Sequence, residues 1–367
     1  MSAVPTKIRF LTDSSSDPFS VALRTRVDKY FTDRKLSKFC NTEMVVKSLI
    51  YFVGFWGIYG VIMSGSVSPI GMLFLAMFLG LLTAGIGFNI GHDAIHGAYS
   101  SKKWVNDLMS HSFTTMGADI SLWRLLHNVV HHTYTNIPEV DGDLDPVPWL
   151  RFDHVRKHKW YHRFQHIYAP LLYTATSLVW VFKKDYQFAR RRKHLVHNFP
   201  ARTLQENLQM IGFKLLYYFA FIGAPLLFLD LPWYQILIGF IAMHMACGLA
   251  LAVVFQLGHI VEGPSFPTFH DSPAGIQNSW LAHQLDTTAD FGATSHVMEW
   301  LFGGLNCQVE HHLFPKICHV HYRHLSPIVA ATAKEFGLTY HAYPSFWSAM
   351  RSHFRLMKQL GRPEFRT

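Results

Sequence analysis

Residues 69–96 read PIGMLFLAMFLGLLTAGIGFNIGHDAIH. The first part, roughly 69–90, is apolar and has about the 20 residues that a bilayer core requires. It runs without a break into Gly91-His92-Asp93-Ala94-Ile95-His96. A helix that continues out of the membrane carries His92 and His96 on one face, because positions four apart are neighbours. Neutral imidazole is the commonest protein metal ligand. The stretch therefore predicts a membrane span that delivers a pair of metal-binding groups to the membrane surface.

The composition agrees. The chain has 367 residues, half of them hydrophobic and 15% aromatic, with a mean hydropathy of +0.12. Those values describe a membrane protein with a sizeable water-facing part. The 24 histidines equal Asp and Glu together. The formal charge is +9, but Lys and Arg lie beside hydrophobic segments. That pattern favours anionic headgroups and the positive-inside rule over nucleic acid. Cys40, Cys247, Cys307 and Cys318 form no CxxC and are read as free thiols in a reducing compartment. The N-terminal MSAVPTKIRFLTDSSSDPF has no apolar core, so no cleaved secretory signal is expected.

Four spans follow from hydropathy. Residues 1–43 are a polar N-terminal segment with a helix predicted over 18–39, lying on the membrane or on the rest of the water-facing part. Residues 44–63 and 69–90 form one transmembrane hairpin (44–90), with Lys47 expected to snorkel to the headgroups. Residues 207–229 and 233–257 form a second hairpin (207–257), joined by Asp230-Leu231-Pro232. Residues 91–206 and 258–367 make the two parts of a cap. Residues 166–182 are apolar but number only 17 and contain Pro170. Crossing there would place Lys183, Lys184 and Arg190–Lys193 on the far side, so the segment is read as an interfacial or re-entrant helix. The predicted fold is an all-α integral membrane protein. It has four transmembrane helices and a cytosolic helical cap that holds a histidine-rich di-metal site. Both termini lie on the cytoplasmic side. His244 falls inside the fourth span, either as a functional group or as a packed, hydrogen-bonded one.

Two further clusters lie in the cap. One is His127-Asn-Val-Val-His131-His132; on an α-helix His127 and His131 share a face and His132 sits about 100° further round. The other is Gln308-Val309-Glu310-His311-His312. With His92 and His96 these hold seven histidines, and Gln308 and His259 are further candidates. That exceeds what one metal can hold, so two metals are expected. Ligand type leaves iron, zinc, copper and nickel open. The loop at 136–148 carries Asp141, Asp143 and Asp145, which mimic the start of a calcium loop but lack its later Gly and Glu. They are read as supports for histidines or as a solvated turn.

In these boxes and their order the sequence resembles the membrane fatty acid desaturases, whose boxes read H-x3-4-H, H-x2-3-HH and H/Q-x2-HH. The resemblance covers roughly residues 45–325. It implies two non-haem irons, O2 as co-substrate, and removal of two hydrogens from a fatty acyl chain carried on coenzyme A or on a lipid. It implies two electrons from a donor protein served by its reductase. Metal ligands by resemblance are His92, His96, His127, His131, His132, Gln308, His311 and His312, and His259 is preferred to His283 as the ligand after the last span. Asp93 and Glu310 are candidates for holding imidazole N–H groups, and no catalytic residue beyond the metal centre is implied. Gln308 looks like the front-end variant (delta-5 or delta-6-like), which adds a cis double bond on the carboxyl side of an existing one. No His-Pro-Gly-Gly occurs, so the donor is expected to be a separate cytochrome b5 or a ferredoxin. Trp104, Trp123, Trp149 and Trp300 are candidate tunnel residues, and the Lys and Arg at 151–163 and 183–193 are candidates for a headgroup entrance. Rival readings are a lipid hydroxylase or ketolase with the same boxes, and a metal transporter. A transporter would place its ligands near the bilayer midplane.

Overall fold

The computed structural model describes residues 9–143, 148–190, 193–194, 197–198, 201–268 and 275–364. Among the described residues, four helices are long and apolar enough to cross a membrane: Thr42–Met63, Pro69–His96, Leu204–Phe228 and Trp233–His259. Their starts follow from local chemistry. Asn41 and Ser68 accept hydrogen bonds from the backbone N–H groups of Met44 and Gly71, and Pro69 sits in the first turn, where a missing N–H costs nothing. Thr203 and Glu206 form a capping box at the third span. The second span does not stop at residue 90 but carries on to His96, and the fourth carries on to His259. Both therefore end in histidines.

Small residues let the spans approach closely. A Cβ on Gly80 would lie 2.0 Å from the Met243 carbonyl oxygen, so the second and fourth helices meet backbone to backbone. A Cβ on Gly85 would strike the Tyr51 ring at 2.2 Å, which seats the first span on the second. The segment predicted as interfacial forms helices Gln165–Thr174 and Thr176–Val179. It is not one of the four long apolar helices. It lies against the middle of the fourth span, where a Cβ on Gly248 would meet the Thr174 carbonyl at 2.6 Å. His244 is a packing residue at that crossing. Its Nδ1 is 2.9 Å from the Ser177 hydroxyl and its Nε2 is 2.8 Å from the Tyr217 hydroxyl.

Lys47 corrects an expectation. It is 2% exposed and does not reach for headgroups. Its Nζ lies 2.9 Å from His319 Nε2. The N-terminal helix ends at Arg34, with Lys35 in the left-handed region, and packs on the helix Tyr322–Glu335. Phe19, Leu23, Val27 and Phe31 meet Leu325, Val329 and Ala333 in one apolar cluster, so the helix lies on the cap. All four cysteines are free.

Replacing Gly80 with valine tests the central crossing. The added methyls must push the second and fourth spans apart, at a cost above the ~1–3 kcal/mol of ordinary overpacking. A clear fall in thermal stability in detergent is expected, and an unchanged melting temperature would contradict the contact.

Candidate metal centre

The first two boxes owe their direction to local irregularities. A π-turn at Gly87–Gly91 precedes the α-turn His92–His96, which stops at Gly97 with φ +75°. His92 and His96 stand with ring centroids 4.7 Å apart. The second box is not α-helical as expected. Arg124–His131 is wound as a π-helix, and the His132 N–H donates to the His127 carbonyl five residues back, at 3.1 Å. The wider turn lets His132, as well as His131, stand beside His127. The rings of His131 and His132 lie 5.0 and 4.8 Å from that of His127. The third box is the short helix Gln308–Leu313, where Gln308, His311 and His312 share one face. A Cβ on Gly258 would lie 2.6 Å from the Gln308 Cγ, so glycine lets the third box close over the end of the fourth span.

The boxes converge. Ligand atoms of His92, His96, His127 and His311 lie within 4.8 Å of one another, and so do those of His131, His259 and His312. His132 forms a third such group with His311 and His312. Gln308 Nε2 is 2.9 Å from His259 Nε2, and turning the amide over would present its oxygen instead. His259 thus stands in the cluster. His283 belongs to none of these groups and packs against Phe10 with centroids 5.4 Å apart.

Acceptors behind the rings set their tautomers. His127 Nδ1 donates to Asp143 at 3.0 Å and His131 Nδ1 to Asp141 at 2.8 Å. His312 Nδ1 donates to the Gln284 carbonyl oxygen at 2.8 Å. Each bond leaves Nε2 as the lone-pair nitrogen, aimed into the cluster. Asp141 and Asp143 thus carry the role that Asp93 and Glu310 were expected to share; Asp145 lies outside the described residues. Asp93 does hold an imidazole, but that of His319, at 2.8 Å. Glu310 accepts from the Tyr340 hydroxyl at 3.0 Å and, among the described residues, bonds to no box histidine.

Electrostatics keep most rings neutral. Burial and the neighbouring imidazoles push His132, His311 and His312 well below the ordinary histidine range. Burial also lowers His127, against the pull of Asp143. Burial acts the same way on His131 and is the largest influence there, but the Asp141 and Asp143 carboxylates together outweigh it and the net shift is upward. Among the described residues, Nε2 of His96, His131, His132 and His311 are buried without a hydrogen-bond partner. Such an atom normally costs ~1–3 kcal/mol. Several converging lone pairs of this kind fit cations bound among them, and the donor set is that of a metal site.

Of the tunnel candidates, Trp123 reaches the centre and stacks on His127 at 4.4 Å. Trp300 stacks on Tyr51, while Trp104 and Trp149 are exposed. Arg151 is spent on backbone carbonyls, among them that of Leu360, and Lys184 on Asp143.

A family model described as fatty acid desaturase matches residues 68–344. An acyl-lipid (8-3)-desaturase of Physcomitrium patens is 35% identical over 360 residues, covering 96% of this chain and 74% of that protein. The sn-1 linoleoyl-lipid 6-desaturase of Synechocystis sp. is 33% identical, with 94% and 96% covered. Its namesake from Arthrospira platensis is 30% identical, with 98% and 96% covered. The chain belongs to the fatty acid desaturase family. It is a membrane-embedded acyl desaturase, an oxidoreductase.

Asp141→Asn keeps the size of the side chain but weakens its hold on His131 Nδ1. Metal affinity is expected to fall about 10- to 100-fold. Metal retained after dialysis against a graded chelator measures it, and equal retention by variant and parent would contradict the role.

Proposed function

We propose that this enzyme is a front-end desaturase of membrane acyl lipids with two non-haem irons. His92, His96, His127 and His311 would hold one iron, and His131, His259 and His312 the other. His132 stands between the two groups, and Gln308 would complete the second through its carbonyl oxygen. The observation that carries the reading is the convergence of all three boxes on one buried set of lone-pair nitrogens. Bound iron would supply the oxidising power by which O2 and two electrons remove two hydrogens from an acyl chain, with O2 leaving as water.

The protein's own groups orient and shield. Asp141, Asp143 and Gln284 hold their histidines in the tautomer a metal requires. The Phe255 ring, 5.2 Å from His131 and 5.0 Å from His259, and the stacked Trp123 cover the cluster with apolar surface and exclude water. The ligands gather at the ends of the second and fourth spans and not at mid-span, which favours an enzyme facing the membrane surface over a transporter. We assign that surface to the cytoplasmic side, where the basic segments lie. A separate cytochrome b5 or a ferredoxin, with its reductase, would deliver the electrons. Front-end chemistry follows the Gln308-x-x-His311-His312 pattern, and an acyl-lipid substrate follows the relatives' names.

Expression in a host without polyunsaturated fatty acids, fed linoleate, tests this reading beside a His131→Ala control. A new double bond on the carboxyl side of the existing pair, absent from the control, is expected by mass spectrometry. A hydroxylated product, or a bond inserted toward the methyl end, would contradict it.

A further inference from the structure

A cleft of about 410 Å3 opens between the helix Lys103–Ser110, the start of the second-box helix and the first turns of the third span. We propose that it receives the headgroup of a membrane glycerolipid that carries no net charge, and that it so presents the carboxyl end of the acyl chain to the metal centre. This rests on the reading of the enzyme as one that acts on acyl lipids.

Charge is the first argument. The chain as a whole is +9, yet the cleft lining holds three cations, Lys103, Arg124 and Lys214, and three carboxylates, Asp107, Asp119 and Glu206. The cations are already engaged. Asp107 bridges Lys103 and Arg124, the latter at 3.1 Å, and Lys214 is held by Asp185 at 2.7 Å. Among the described residues of the lining, no Lys or Arg is left without a carboxylate to select a phosphate cluster such as that of coenzyme A, or an anionic lipid. Amides, hydroxyls and the His111 imidazole supply the rest of the described polar lining, including Gln205, Gln209 and Ser121. A balanced, hydrogen-bonding wall of this kind suits a zwitterionic or uncharged headgroup.

Location is the second argument. One wall of the cleft is the first part of the third span, whose opposite face carries the exposed apolar Leu208, Ile211 and Leu215. Gln205, Gln209 and Phe213 recur every four residues on the span face that lines the cleft. The cleft therefore sits at the level where a span begins, which is where a lipid headgroup lies. The inner wall is the third argument. Arg124 lines the cleft and opens the π-helix that carries His127 and His131. A headgroup at that wall lies about one turn from the first box-two ligand. A double bond counted from the carboxyl end requires an anchor on that side.

The test is lipid retention by the full-length protein in nanodiscs, read by native mass spectrometry. The discs hold equimolar dilinoleoyl phosphatidylcholine and dilinoleoyl phosphatidylglycerol, and a parallel arm adds linoleoyl-CoA. The parent is expected to retain phosphatidylcholine over both competitors by at least fivefold. Asp107→Asn frees Lys103 and Arg124 and should move the preference at least fivefold toward phosphatidylglycerol. Gln209→Glu adds an unpaired carboxylate and should move it the opposite way. Parent protein that prefers phosphatidylglycerol or linoleoyl-CoA, or two variants that leave the ratio unmoved, would overturn the proposal. The readout needs no turnover, so a failure of the desaturation reading shows separately, in the product profile.

Discussion

Eight imidazoles and one amide are buried where water cannot reach them, and several point bare lone pairs at each other. Unpaired polar atoms of this kind work against folding, at ~1–3 kcal/mol each. A divalent cation reverses the sign, because it turns the same lone pairs into bonds. The surrounding architecture reads as the means of holding that arrangement. Two spans run past their hydrophobic stretches to end in His96 and His259. The acidic loop supplies Asp141 and Asp143 to fix two tautomers. The helix Trp280–Thr287 supplies Gln284 for a third.

Membrane and cap are locked together by groups that are costly to bury alone. Lys47, His319 and Asp93 form one chain of hydrogen bonds across the first span, the segment after box three, and box one. Cys318 adds a bond to the same Asp93 carboxylate at 3.0 Å. Because His92 and His96 share a ligand group with His311, any slip between box one and box three would open it. The charged chain resists such a slip, since separating it would leave a buried lysine or aspartate unpaired. The tight Gly80–Met243 crossing does the corresponding work within the spans.

Much of this was legible from the chain alone. Hydropathy located four spans, and the boxes named the histidines that converge, because a span's length and a motif's spacing are local properties. His259 could be proposed only from its position at the end of a span. What stayed hidden depends on contacts between distant segments. The signal for Asp141 and Asp143 is an acidic loop that reads more readily as a solvated turn, and only the fold shows each carboxylate behind a histidine. Lys47 looked like an ordinary interfacial lysine because its partner lies 272 residues away. The π-winding of box two left no mark in the spacing. The charge balance of the cleft beside Arg124 depends on four segments at once and has no sequence signature.

The central claim is that this donor set holds two irons. Metal analysis of protein purified without added metal, joined to Mössbauer spectroscopy of protein from cells grown on 57Fe, tests it most directly. The account predicts about two irons per chain in nitrogen-rich high-spin sites, with zinc, copper and nickel present only in traces. One metal per chain, or stoichiometric zinc, would contradict it.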